Sequence, residues 1–374
     1  MLDDITEAVL QRDEVARYLQ GAHGDGGSGA RERIQAYLDE LRTTQRYAIY
    51  RTLKHPLYPI LRKIDRVGEN VQIPKAAARA GRVIYASNHR SHTDYLVEPL
   101  VLDDNGIRPP IIAAGINLFG GPLGLIHKHV TGAIPIRRNT KDPAYLITLK
   151  AYVGEILKKH DLFFYPEGGR SYSGELKHPK TGLFHAALLA GQQKMSVVPT
   201  AITYDLVLED HVLARQRVKR SQRPFSRELA EMVRYAVGYR SRAFVTFGTP
   251  IPLDGIDAGS RRAVLDVAHQ AMREIGRVVK VLPNALVASA MGPSITKQEL
   301  EDRVSALIDS LQERGANLDV TSGREAVAAA AEPLSDRGII VIEGDLFRVR
   351  DRNVLRYYAR SIEHLLPAQT SNTH

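Results

Sequence analysis

The stretch Val83-Ile84-Tyr85-Ala86-Ser87-Asn88-His89-Arg90-Ser91-His92-Thr93-Asp94 decides how this chain is read. An apolar strand pattern from Val83 to Ser87 runs straight into two histidines and a carboxylate, and α/β proteins build their sites at the carboxyl ends of such strands. On one continuous helix, residues five apart lie about 140° apart at ~3.6 residues per turn, so His89 and Asp94 could not meet. They meet if His89 stands on the turn before a helix and Asp94 lies in its first turn, with Ser91 or Thr93 as the cap. A carboxylate on one imidazole nitrogen fixes the tautomer and leaves the other nitrogen to take a proton. With an ordinary pKa of about 6.5 the ring is largely neutral at pH 7 and competent as a general base. A solvent-facing loop histidine and a metal site of His89, His92 and Asp94 are the other readings of these residues.

Outward from this stretch, short apolar strands alternate with helical segments between about Gly81 and Pro252, which predicts an α/β core. The strands expected are Val83–Ser87, Ile111–Ala114, Ala133–Ile136, Leu162–Tyr165, Ser196–Tyr204 and Ala243–Phe247, with a helix over Ala144–Lys159. Pro109–Ile126 is uncharged, and its Pro and Gly content marks a packed loop rather than a membrane span. Towards the N-terminus, residues 1–30 are expected to form an acidic helix and the flexible linker GAHGDGGSGA. Residues 31–80 are expected to form a basic amphipathic helical arm, with Ile34, Leu38, Leu41, Ile49 and Leu53 on one face. Residues 81–282 then make the catalytic-sized domain. In the C-terminal unit, 283–374, Thr296 with Glu299 and Ser322 with Glu325 are capping-box starts, and a hairpin follows over Gly338–Arg350. Two helices and a hairpin resemble a winged helix, yet the unit carries 10 basic against 13 acidic residues, the wrong sign for nucleic acid.

With 374 residues, 44% of them hydrophobic, and a net charge of +9, the chain has the composition of a folded globular protein. It has no cysteine, which excludes disulfides, thiol nucleophiles and cysteine-ligated metals. The acidic start lacks the pattern of a signal peptide. Basic patches at residues 31–82 and 215–242 suit ordinary solvated surface or a phosphate-bearing partner such as anionic lipid.

Two further motifs carry charge to strand ends. In Phe163-Phe164-Tyr165-Pro166-Glu167-Gly168-Gly169-Arg170-Ser171, a strand enters a turn whose glycines allow close backbone approach, suited to holding an anion with Arg170 as a clamp. His178-Pro179-Lys180-Thr181-Gly182 adds a cation near a second turn, and Ile134–Asn139 ends a strand on Arg137 and Arg138.

Taken in order and spacing, these pieces resemble the glycerolipid acyltransferase superfamily. Asn88-His89-x4-Asp94 is similar to its first motif, Ile134–Arg138 to its second, Tyr165–Ser171 to its third and Val198–Tyr204 to its fourth. Ala113–Leu118, the Glu-Gly-Gly-Arg-Ser string and Pro179–Gly182 resemble the glycerol-3-phosphate and dihydroxyacetone-phosphate branch. Tyr172 departs from that branch, which often has a second arginine there, and Asn88 with Tyr165-Pro166 is closer to the lysophosphatidate pattern. The resemblance implies a central mixed sheet flanked by helices, and transfer of an acyl group from acyl-CoA or acyl carrier protein to the sn-1 hydroxyl of glycerol 3-phosphate. His89 would be the base and Asp94 its partner. Arg137, Arg138, Arg170 and Lys180 would hold the acceptor phosphate, with Glu167, Gly168, Gly169 and Ser171 forming the binding turn. No metal or cofactor is implied. The expected setting is peripheral, on an anionic membrane surface at its cytoplasmic face, with no nucleic acid as partner; the uncharged Pro109–Ile126 segment would line the acyl groove.

Overall fold

Strand pairing in the computed structural model, which describes residues 2–21, 27–57, 64–219 and 241–367, builds one mixed sheet. Its strands are β1 (Ile64–Glu69), β2 (Arg82–Ser87), β3 (Ile111–Gly115), β4 (Ala133–Ile136), β5 (Leu162–Phe164), β6 (Met195–Tyr204) and β7 (Ser241–Phe247), in the order β1-β7-β6-β2-β5-β3-β4. The short β8 (Ile251–Pro252) pairs with β6. Strands β2 to β6 are mutually parallel; β7 and β8 run antiparallel to β6, and β1 lies parallel to β7. Every parallel strand of this group therefore delivers its carboxyl end to the same edge.

Period-two alternation sorts the side chains between two cores. Val83 and Tyr85 of β2 join Phe163, Val198 and Val245 on one face, while Ile84 and Ala86 join Leu162, Phe164 and Val197 on the other. The helices preceding the C-terminal unit are α1 (Leu2–Leu10), α2 (Asp13–Gly21), α3 (Gly27–Leu41), α4 (Tyr47–Leu57), α5 (Gln72–Ala80), α6 (Asp94–Asp104), α7 (Gly121–His129), α8 (Pro143–Leu157), α9 (Gly182–Leu189), α10 (Asp210–Lys219) and α11 (Arg261–Val278). α6 covers the Tyr85 face through Val97, Leu100 and Val101. α8, α9 and α11 cover the Ile84 face, and Val9, Val15, Ile34, Leu38 and Leu41 extend that core outward. Burying a side chain of this size is worth about 1.5–3 kcal/mol.

The C-terminal unit runs β9 (Lys280–Val281), α12 (Pro283–Ala290), β10 (Ser294–Thr296), α13 (Lys297–Glu313), β11 (Asn317–Leu318), α14 (Gly323–Asp336), β12 (Ile340–Glu343), β13 (Leu346–Val349) and α15 (Arg352–Arg360). β10, β13 and β12 form an antiparallel sheet in that order, as in a winged helix. The Thr296 and Ser322 side chains accept from the Glu299 and Glu325 N–H groups, as the capping boxes predict. The unit is tied into the rest of the chain. Tyr358 Oη donates to Asp210 at 2.7 Å and accepts from the Val207 N–H, Lys280 pairs with Glu69 at 2.7 Å, and Arg360 pairs with Glu175.

Three expectations change. Residues 31–80 are not a separate arm, because β1 adds to the central sheet beside β7 and α5 packs Ala77 against the core. The helical stripe from Ile34 to Leu53 breaks between α3 and α4, where Gln45 bridges Thr131 and the Thr43 N–H donates to Tyr152 Oη. Of the linker at 21–30, Gly21 closes α2 and Gly27 opens α3, while residues 22–26 lie outside the described residues. Pro109–Ile126 is likewise not a loop; it supplies β3, a 3-10 turn over Ile116–Phe119, and α7. Most of the basic patch at 215–242 lies outside the described residues.

Candidate active site

The parallel strands converge their motifs on one edge. β2 ends at Ser87, and Asn88 then locks its exit: Nδ2 donates to the Ile202 carbonyl and Oδ1 accepts from the Ile202 N–H, fixing the end of β2 to β6. His89 follows on the turn, and Asp94 opens α6. The two meet, with His89 Nδ1 2.8 Å from Asp94 Oδ2. Thr93 makes no capping hydrogen bond, whereas the Ser91 hydroxyl accepts the Thr93 N–H at 3.1 Å in the turn that opens α6. Asp94 itself organises the turn, accepting from the Arg90 and Ser91 N–H groups at 2.6 and 2.9 Å and from Tyr204 Oη at 2.8 Å.

This carboxylate is fully buried, and burial raises its pKa to about 6 even though Ser91, Tyr204 and Arg90 oppose the shift. His89 is only 8% exposed, and burial, reinforced by Arg170, His92, Arg138 and Lys177, holds its pKa well below the usual value. The ring is thus neutral at pH 7. Its face stacks on Tyr165 at 4.1 Å, and Nε2 has no hydrogen-bond partner among the described residues. A neutral imidazole oriented from behind, with one nitrogen unengaged, can accept a proton from a hydroxyl.

One helical turn beyond Asp94 lies a second buried carboxyl. Glu98 accepts from Tyr165 Oη at 2.8 Å and from Ser87 Oγ, and burial followed by repulsion from Asp94 raises its pKa well above the usual value. It supports, through Tyr165 Oη, the ring on which His89 rests. A third, Glu209, receives the His92 N–H at 2.6 Å, the Ser91 hydroxyl at 2.9 Å and Arg170 at 3.4 Å.

The Glu-Gly-Gly-Arg-Ser turn grips His89 from both sides. Glu167 accepts the His89 N–H at 3.0 Å and the Lys177 N–H at 3.1 Å, so it organises the turn instead of facing a ligand. The Ser171 N–H donates to the His89 carbonyl at 3.0 Å, and the Ser171 hydroxyl is spent on the Glu175 carbonyl at 2.7 Å. Ser171 is fully buried, which removes it from the binding residues. Gly168 sits at φ +70, a conformation that favours glycine, with the Lys180 stem over its open face. Lys180 is exposed there, and its N–H donates to the Pro166 carbonyl at 2.7 Å.

The two arginines of the second motif part company. Successive residues of an extended segment point to opposite sides. Arg137 turns outward, where it pairs with Glu40 of α3 and lies over the Tyr37 and Tyr145 rings, so it is not brought to His89. Arg138, also exposed, turns to the other side and lays its guanidinium along two glycines. Its guanidinium lies 2.8 Å from where a Cβ on Gly115 would stand and 3.4 Å from one on Gly169, so both glycines make its channel. Burial and the neighbouring Arg170 lower its pKa, and it has no carboxylate partner among the described residues. Lys177, which the motif spacing does not single out, joins this group: its Nζ donates to the Gly169 and Arg170 carbonyls. Arg90 also goes unannounced in the sequence; it is buried and donates to the Gly174 carbonyl, tying the base's loop to the following one. No group of three or more His, Asp or Glu among the described residues is placed to hold a metal ion.

The site thus joins a neutral imidazole, its carboxylate partner and a set of cations at one strand edge. Residues 68–203 match the family model described as Acyltransferase, and residues 228–369 match that of the Glycerol-3-phosphate acyltransferase C-terminal region. Both regions are thus similar to acyltransferases, the second to the C-terminal region of glycerol-3-phosphate acyltransferases. The match begins within β1, in accord with that strand's place in the sheet. The second model takes in β7, so the central sheet draws strands from both matched regions. A glycerol-3-phosphate acyltransferase of Actinobacillus succinogenes is 29% identical over 90% of this chain and 46% of its own length. That of Pasteurella multocida gives the same three figures, and that of Glaesserella parasuis is 28% identical over the same shares. The chain therefore spans about half the length of the curated relatives it matches. Among solved structures, a 1-acyl-sn-glycerophosphate acyltransferase from Thermotoga maritima aligns over 56% of this chain and 72% of its own, at 19% identity and a TM-score of 0.32.

Proposed function

We propose that this chain transfers a fatty acyl group from an acyl thioester, carried by CoA or acyl carrier protein, to the sn-1 hydroxyl of glycerol 3-phosphate, giving lysophosphatidate. The observation that carries this reading is the His89 Nδ1 to Asp94 contact of 2.8 Å beside the guanidinium of Arg138, which has no carboxylate partner among the described residues. His89 Nε2 takes the hydroxyl proton as the oxygen attacks the thioester carbonyl. The carbon–sulfur bond then breaks, and the thiolate leaves and receives that proton. Asp94 holds the tautomer and stabilises the imidazolium formed on the way. General-base help of this kind contributes about 10²–10⁴-fold.

Arg138 binds the acceptor phosphate, supported by Arg170 and the exposed Lys180, and so orients the hydroxyl towards the base. Lys177 adds positive potential from beneath. Because a thiolate is already a good leaving group, the displacement needs no help beyond this base and these cations.

No helix among the described residues is long and apolar enough to cross a membrane. The proposed setting is peripheral, on an anionic surface at the cytoplasmic face, supported by the exposed side chains of Leu125 and Ile116 and by the exposed Arg46 and Arg51. Association with anionic vesicles that weakens with salt tests this part.

Free thiol release is measured from acyl-CoA and from acyl carrier protein, each with glycerol 3-phosphate, dihydroxyacetone phosphate or lysophosphatidate. Release that depends on glycerol 3-phosphate and on His89 is expected. Turnover with another acceptor in its place would reassign the substrate, and turnover that persists in His89→Ala would remove the base.

A further inference from the structure

A cleft of about 540 Å³ opens at the opposite end of the parallel strands, between the end of α5, the start of β2, and the turns that follow α6 and α8. Five cations line it: Lys75, Arg79, Arg82, Arg108 and Lys159. They come from four separate elements, so no local sequence pattern announces the cluster. One carboxylate, Asp161, faces them and is shared by Arg82 at 3.1 Å and the Val83 N–H at 3.0 Å. Arg108 bonds Gln45 at 3.1 Å. Lys75, Arg79 and Lys159 have no ion-pair partner among the described residues.

Part of this charge answers the helices. α5, α6 and α8 all end at this edge, and each C-terminus carries roughly half a negative charge. Together with Asp161 they leave an excess of about two and a half positive charges in a concave site. Its volume falls within the range of small-molecule sites, ~300–1,000 Å³. His160 reports the same field. Burial, followed by repulsion from Arg108, Arg82 and Lys159, pushes its pKa down to about 4, so it stands neutral among the cations and able to donate one hydrogen bond.

We propose that this cleft binds the phosphate ester or diphosphate of a second ligand, apart from the acceptor site. Guanidinium groups at Arg79 and Arg108 match phosphate oxygens in pairs, and Lys75 and Lys159 add point charges. Arg82 opens β2 and His89 follows its end, so a strand's length, roughly 20 Å, separates the cleft from the base. A ligand there would not overlap the reacting hydroxyl, and the proposal stands whether or not the acyl-transfer reading holds. The phosphate could belong to a soluble metabolite or to a lipid headgroup; the shared chemistry is the same.

The test is calorimetric titration of inorganic pyrophosphate into the whole chain, paired with sedimentation on phosphatidylcholine vesicles carrying phosphatidate. Because the active-site cations also attract phosphate, both are run in the native and the Arg138→Gln backgrounds. Arg79→Gln with Lys159→Gln should weaken binding about tenfold or more, at an unchanged thermal midpoint, in both backgrounds. Loss in the pyrophosphate arm identifies a soluble ligand, and loss confined to the vesicle arm identifies a headgroup. Arg261→Gln with Arg262→Gln, which removes the same charge from the exposed start of α11, should change neither arm by more than about twofold. Affinity that is unaffected by the cleft variant, or that falls equally in the α11 variant, overturns the proposal.

Discussion

The two ends of the central sheet handle polar groups in opposite ways. At the carboxyl end, the buried carboxyl groups are saturated: Asp94 takes four donors, Glu209 takes three, and both oxygens of Glu167 are spent on backbone N–H groups. At the amino end, cations stand near the surface, and four of the five lack an ion-pair partner among the described residues. A group that must act on a reacting atom has to be fixed before substrate arrives, and each hydrogen bond to it removes a freedom. A group that only receives an anion keeps its valences open for the ligand.

The largest effect expected from this contrast is at the dyad. His89→Ala and Asp94→Asn should each lower kcat by about 10²–10⁴-fold with the circular dichroism spectrum unchanged. Next comes the saturated turn. Glu167→Ala strips two backbone N–H groups of their acceptor and should cost about 2–4 kcal/mol in urea unfolding, with Glu167→Gln recovering part of it.

Smaller still is a pH effect. Asp94 has a pKa raised to about 6, so below that pH it is protonated and no longer stabilises an imidazolium; kcat/KM should fall about tenfold per unit on the acid side, with an apparent pKa that belongs to the pair. Tyr204→Phe removes a hydrogen bond that favours the ionised carboxylate, and should move this limb upward by about half a unit to one unit. Glu98→Gln should change kcat by less than about threefold, because burial and the nearby Asp94 both disfavour a charge at this position and a neutral amide keeps its shape. An effect of Glu98→Gln as large as that of Asp94→Asn would mean that the second carboxyl is charged and active. The smallest effect is expected at the other end, where Arg79→Gln with Lys159→Gln should leave kcat for saturating acceptor within about twofold.

What could be read in advance follows from where each signal is stored. The inner strands were legible because strands buried on both faces are written as apolar runs, and Val83–Ser87, Ala133–Ile136 and Ser196–Tyr204 lie within a residue of their expected bounds. β1 escaped because it is an edge strand, Ile-Asp-Arg-Val-Gly-Glu, whose exposed face carries charges that dilute the pattern. The His89–Asp94 meeting followed from helix geometry. The division between Arg137 and Arg138 did not, since it depends on Glu40, some hundred positions away, being placed by α3. Glu209 was invisible for the same reason: its partners at Ser91 and His92 are distant in the chain, and a lone glutamate carries no pattern. Ser171 shows the converse. Motif membership marked it, yet its hydroxyl serves the fold.

The peptide group of His89 is held by one short turn at both its amide and its carbonyl, through Glu167 and Ser171. The proposed proton acceptor and Arg170, which lies within that turn, therefore share one block, while Arg138 enters from the end of β4. Evolution or engineering that widens the pocket by remodelling this turn would drag the imidazole along with it. New acceptor preferences should accordingly arise from the outer walls, around Arg138 and Lys180, where side chains can change without disturbing the proton's path.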